Sequence, residues 1–351
     1  MLHDTLHRLR AQVDAYDFRD LHPHLRVGTA SDRYAGWLGQ IYPAERAPQV
    51  TERPRKLGGQ SFTERMLPVA SVADYFDHFE VLELDFTYYR PLLEPNDEPG
   101  PSLFVLQQYA THAPAEARFL LKAPQTYFAR TLRRSRGGQV TYEDNPDFLN
   151  ADAYRRRFHE PAQATLGNRL GGVIFEQAYQ RVRDSPAPED NIAELDAFFQ
   201  ALPEEVPFHV ELRSEHLLVP PYFAWLESRG LGFVFSHWTW LPALRDQWRL
   251  CGGRFSSGAR EVVARLLTPR HLKYAQAYAQ AYPFDKPIET ITGSADGRRM
   301  VLDTVALLYR AAEAEVVLNV IANNRAWGNA PDLARVIAHR MLDEEVKRSA
   351  G

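Results

Sequence analysis

The 351-residue chain is 45% hydrophobic and 25% charged with a formal net charge of −4, the composition of a folded globular protein and not of a polycation, so any nucleic-acid contact has to use a local basic patch. Its single cysteine, Cys251, excludes an internal disulfide or a cysteine-based metal cluster and fits a reducing compartment. Charges run throughout Met1–Asp20, and no window approaches the ~20 apolar residues of a membrane span, so a soluble, cytoplasmic protein with no membrane partner is expected.

Residues 1–23 read as an N-terminal helical extension and 24–348 as one (β/α)8 barrel domain, since closed α/β barrels routinely reach ~250 residues as a single unit. Eight strands are predicted in order: Leu25–Gly28, Val81–Asp85, Arg118–Lys122, Gly172–Glu176, Phe208–Leu212, Gly232–Ser236, Val262–Leu267 and Val316–Ile321. Several are nearly continuous apolar runs, the pattern of strands buried on both faces of a parallel sheet. Helical stripes fill the gaps at Ile192–Leu202, Arg298–Ala314 and Asp332–Val346, and Pro220-Pro221 opens a helix that Gly230 ends. Insertions are expected near 50–70, 92–101, 125–165 and 269–287. The last carries Tyr274, Tyr278 and Tyr282 at helical spacing, a stripe suited to packing on a helix, with a stacking platform as the alternative.

In such a barrel the side chains at the C-terminal strand ends share one mouth. Glu83 and Asp85 alternate with leucines and so face the same side, the barrel interior. Lys122 ends the third strand, Glu176 the fourth, and Glu211 with Arg213 the fifth; His237 follows the sixth and Asn323-Asn324 the eighth. A closed barrel is dry, so each of these charges needs a partner, and Lys122 and Arg213 suffice for two of the acids. Glu83, Asp85, Lys122, Glu176 and Glu211 are the catalytic candidates, as acid/base pairs with a cation. Arg213, His237, Trp37, Tyr89, Asn323 and Asn324 are the ligand-binding candidates. The same polar set also reads as a salt-bridge network that only fixes the barrel.

Together these residues resemble the YecE-like proteins, domain-of-unknown-function family seventy-two. The landmarks are Val27-Gly28-Thr29, Tyr34–Gly39 with Tyr42-Pro43, Leu82–Arg90, Phe119–Pro124, Leu170–Glu176, Val210–Arg213, and Asn323-Asn324 with Gly328–Pro331. The resemblance implies a TIM barrel and no established reaction. The chain departs from the family pattern in several places. Ala30-Ser31-Asp32-Arg33 stands where Gly-Trp is usual, Asp85 replaces an asparagine, and Glu176-Gln177-Ala178 replaces glutamine-Leu-Pro. Tyr127-Phe128-Ala129 lacks a Thr-His pair, and no Arg-x-His-Gly is recognisable around Arg265–Thr268. The resemblance therefore points to a divergent branch with a more acidic mouth.

Three readings of function remain open, and whether the protein is an enzyme is not decided. The first is binding or conversion of a small polar or phosphorylated ligand at the mouth by carboxylate acid/base chemistry, with Lys122, Arg213, Asn323 and Asn324 holding an anion. The four carboxylates with His237 would also suit a divalent metal, although the family's glutamine and asparagine would be poor ligands, so the sequence does not require one. The second is nucleic-acid binding through Arg130, Arg133, Arg134 and Arg136 in the aromatic-flanked segment after strand three. The third is a scaffold that does no chemistry. The cofactor and oligomeric state are not indicated.

Overall fold

Eight short, apolar segments separated by amphipathic helices suit a parallel sheet covered by helices on its outer face, and closing that sheet on itself leaves no edge strand. The computed structural model, which describes residues 2–136, 139–256 and 261–350, adopts that closed form. The strands are β1 (Leu25–Ala30), β2 (Val81–Leu84), β3 (Arg118–Lys122), β4 (Leu170–Gln177), β5 (Phe208–Leu212), β6 (Gly232–His237), β7 (Glu261–Leu266) and β8 (Val317–Ala322). They form a closed barrel in chain order, each parallel to its neighbours, with β1 pairing both β2 and β8.

The interior is layered, as alternation requires. Its middle layer is an apolar cluster of Ala30, Val81, Leu120, Ile174, Val234, Val263 and Ile321. One step toward the strand N-termini lies a polar floor, where Glu261 accepts from Arg26 at 3.0 Å, Arg118 at 2.7 Å and Asn319 at 3.3 Å. His209 is fully buried there, and a Cβ at Gly232 would stand 2.2 Å from its ring. One step the other way lies the charged layer described below. Gly28 is required for a different reason: a Cβ there would meet the Val81 carbonyl at 1.9 Å.

Outside the barrel a larger apolar layer packs against helices such as Pro101–His112, Pro188–Gln200, Pro220–Ser228 and Ala295–Glu313. The helix Leu2–Asp14 lies on the final helix, Ala330–Ala350, with Arg10 bonded to Asp343 at 2.7 Å.

Two insertions are antiparallel ribbons. Thr51–Leu57 pairs with Gln60–Met66 across Gly58-Gly59, both at positive φ, as a two-residue hairpin loop favours. Thr131–Arg136 pairs with Gln139–Asp144. The first ribbon packs on the helix Tyr274–Ala281: Phe62 lies 5.0 Å from Tyr278 and 5.3 Å from Tyr282 between ring centroids, and Arg55 covers Tyr278. The tyrosine stripe is thus packing at two of its positions.

Candidate functional site

The inward positions at the C-terminal ends of the strands are Glu83 on β2, Lys122 on β3, Glu176 on β4, Glu211 on β5, Ser236 on β6 and Arg265 on β7, with Arg213 just beyond β5. They form one connected network. The Arg265 guanidinium forks onto Glu83, Nε to Oε2 at 2.7 Å and Nη2 to Oε1 at 2.5 Å, while its Nη1 donates to Glu211 and reaches Glu176 at 3.5 Å. Arg213 Nη2 bridges Glu176 at 2.7 Å and Glu211 at 3.2 Å. Lys122 donates to Glu176, and the Ser236 hydroxyl to Glu211. Three carboxylates thus meet three cations, which is what a water-poor interior demands. Burial opposes ionisation of Glu176, but Arg213, Lys122 and Arg265 outweigh it and hold its carboxyl well below the usual carboxylate range.

Above the network the barrel opens into a pocket of about 220 Å³. Its charged lining is Lys122, Arg213, Arg265 and Arg325 against Asp85 and Glu176; its aromatic lining is Tyr88, Tyr89, Tyr179, Trp238, Trp240 and Tyr274; Asn323 completes the polar rim. Three of the cations stand over aromatic faces: Lys122 Nζ 4.2 Å from the Tyr88 centroid, and the Arg213 and Arg325 Cζ atoms each 4.4 Å from those of Trp238 and Tyr274. Asp85 sits in the turn after β2 and accepts from the Ser31 hydroxyl at 2.7 Å. Arg213 is 6% exposed, and its Nε has no hydrogen-bond partner among the described residues. Among the described residues no carboxylate pairs with Arg325.

The structure therefore brings Asp85, Lys122, Glu176, Arg213, Tyr89 and Asn323 to the mouth and puts Glu83 and Glu211 beneath it, both fully buried. Three expected ligand-binding residues are elsewhere. Ser236 points inward, so His237 points out, and its Nε2 lies 3.2 Å from Asp296, which also accepts from Arg270 at 2.7 Å. Trp37 is buried beside Tyr34 and Tyr42 and donates to Asn324 Oδ1 at 3.1 Å; that oxygen also accepts from the Ala330 amide at 2.8 Å. Both are fastenings of the barrel exterior and do not line the pocket. The carboxylates with His237 do not converge as a metal set either, and among the described residues no group of three or more His, Cys, Asp or Glu is placed to hold an ion.

Arg130, expected to grip phosphates, is tied to Glu194 and lies 4.7 Å from the Phe148 centroid. Nearby, Arg156 and Arg157 pair with Asp97, and Arg155 with Asp152 and Glu160. The side chains of Arg133, Arg134 and Arg136 lie outside the described part of the structure.

Arg265 is the central cation that the sequence reading did not single out, because no family motif is recognisable around it. Its signal was present: a charge at an inward position of an apolar strand, and three inward acids with only two cations to meet them. Arg325, Tyr88 and Tyr179 were likewise not singled out as lining.

The profile of the family described as "Protein of unknown function DUF72" matches residues 26–350. No curated protein matches the chain. Among solved structures, a DUF72 family protein from Thermotoga maritima superposes with a TM-score of 0.53 at 16% identity, covering 91% of this chain and 99% of that one. Another from Enterococcus faecalis gives 0.52 at 14% identity, covering 91% and 95%. At such identities the likeness concerns the fold.

Proposed function

The chain belongs to the DUF72 family, whose function is unknown, and from that premise we propose that the C-terminal mouth of its barrel binds a small polar, anionic ligand. The observation that carries this reading is the pocket's charge: four cations line it against two carboxylates. The pocket is smaller than the ~300–1,000 Å³ common for drug-sized ligands, which suits a compact molecule. The buried carboxylates orient the cations. Arg265 is tied to Glu83 and Glu211, whereas Arg213 and Arg325 each have an Nε without a partner among the described residues.

Binding is the better-supported half of the expected function. Glu83 and Glu211 are buried beneath the mouth and covered by Arg265, and Glu176 is held in its ionised form by three cations, so none of the three is placed to exchange a proton with a ligand. Asp85 is the one expected acid that lines the pocket without a cationic partner among the described residues.

The test is isothermal titration calorimetry with inorganic phosphate, on the wild type and on Arg325→Ala. That variant breaks no ion pair among the described residues, so the fold should persist. Phosphate should bind the wild type, more weakly as salt rises, and at least about 10-fold more weakly to the variant, since a charge-assisted hydrogen bond is worth roughly 1.5–3 kcal/mol. No phosphate binding at low salt, or equal binding to both proteins, overturns the reading.

A further inference from the structure

Resting on that anion site, we propose that its ligand is a phosphorylated monosaccharide whose ring packs on the Tyr179–Trp240 pair while Asp85 accepts its hydroxyls. The argument begins with which aromatic faces are spent. Tyr88, Trp238 and Tyr274 each carry a cation of the pocket. Among the described residues no cation covers Tyr179 or Trp240, which line the same pocket with ring centroids 5.6 Å apart and remain 50% and 45% exposed. Tyr89, 62% exposed, belongs to the connection after β2, and Trp240 to the one after β6. These strands are opposite in the eight-membered ring, so the walls for a flat-faced ring stand across the mouth from each other.

Large aromatic faces left half in water at a pocket rim, when others in the same pocket are covered, suit a ligand with an apolar face. The polar groups narrow its class. Asp85 Oδ1 accepts from Ser31, and among the described residues no donor is bonded to its Oδ2. Arg213 lines the same pocket and supplies a guanidinium. A hydroxyl both donates and accepts, so a polyhydroxylated ring satisfies a carboxylate and a guanidinium together. A phosphate on that ring reaches the cationic side of the pocket. The Tyr179 and Trp240 rings are tilted by 36°, which suits the puckered face of a sugar better than one flat base.

The experiment titrates the full chain with glucose 6-phosphate and ribose 5-phosphate, with inorganic phosphate, unphosphorylated glucose and adenosine monophosphate as comparisons, followed by calorimetry and tryptophan fluorescence. At least one sugar phosphate should bind about 10-fold or more tightly than phosphate. Trp240→Ala should remove that advantage, and Asp85→Asn, which takes a negative charge out of the anion site, should tighten inorganic phosphate while narrowing the advantage of the sugar phosphate over it. Sugar phosphates no tighter than phosphate, an indifferent Trp240→Ala, or the nucleotide bound tightest would each overturn this inference while leaving the anion site standing. If no anion binds, both proposals fall.

Discussion

Replacing Arg265 with methionine removes the cation from which Glu83 takes both of its hydrogen bonds. Glu83 is fully buried and accepts at 2.7 and 2.5 Å from that one guanidinium; no other partner serves it among the described residues. Glu211 is better insured, since it keeps the Ser236 hydroxyl and Arg213. The cost is therefore concentrated at Glu83, and stranding a buried charge costs about 3–5 kcal/mol. Against a total stability of roughly 5–15 kcal/mol that is a large fraction. Adding Glu83→Gln to Arg265→Met replaces the stranded charge by an amide, whose unmet hydrogen bonds cost only about 1–3 kcal/mol. The double variant should thus be the more stable by roughly 2 kcal/mol. Denaturant midpoints followed by tryptophan fluorescence and circular dichroism at pH 7 measure both differences. A loss below about 1 kcal/mol for Arg265→Met, or a double variant no more stable than the single, refutes the reasoning.

The other expectations concern pH and packing. Burial lifts the Asp32 carboxyl to about 6, although the Tyr109 hydroxyl donates to it at 2.7 Å. The folded state then keeps a proton that the unfolded chain has released, so this group's stabilisation is full below pH ~4 and is lost as pH rises through ~6, by roughly 3 kcal/mol. Asp32→Asn should flatten that slope in denaturation midpoints taken from pH 4.5 to 7.5; parallel slopes would count against it. For Glu176, whose carboxyl is held low in the folded state, the sign is opposite: its contribution is complete above the ordinary carboxylate range and is lost only as pH falls far below it. Glu176→Gln should therefore weaken the fold at pH 7 and close the gap to wild type in strong acid, as thermal melts would record. In the floor, Gly232→Ala places a methyl against His209 at 2.2 Å and should cost about 1–3 kcal/mol. A second change, His209→Ala, should relieve that clash, and a double-mutant cycle without coupling would contradict it.

The fold was legible because barrel strands buried on both faces write themselves as apolar runs. All eight predicted strands overlap observed ones, with ends shifted by a few residues. Parity also told which side chains share the interior, and the charged layer follows from it. Where parity was not applied, errors followed: His237 comes one residue after the inward Ser236 and had to face outward. Trp37 and Asn324 lie near strand ends in sequence, yet they bond to each other behind the mouth. That depends on how the first and last connections cross, which periodicity does not encode. The ribbon Thr51–Met66 was hidden because it is held by its Gly-Gly turn and by a helix more than two hundred residues away, and its polar strands lack an apolar alternation.

A crystal structure of the protein grown with glucose 6-phosphate tests the central claim most directly. The account predicts density in the mouth, with the phosphate within hydrogen-bond distance of Arg213 or Arg325 and the Glu83–Arg265–Glu211 network unchanged beneath it. A ligand bound away from the barrel mouth, or one that displaces that network, would contradict the account.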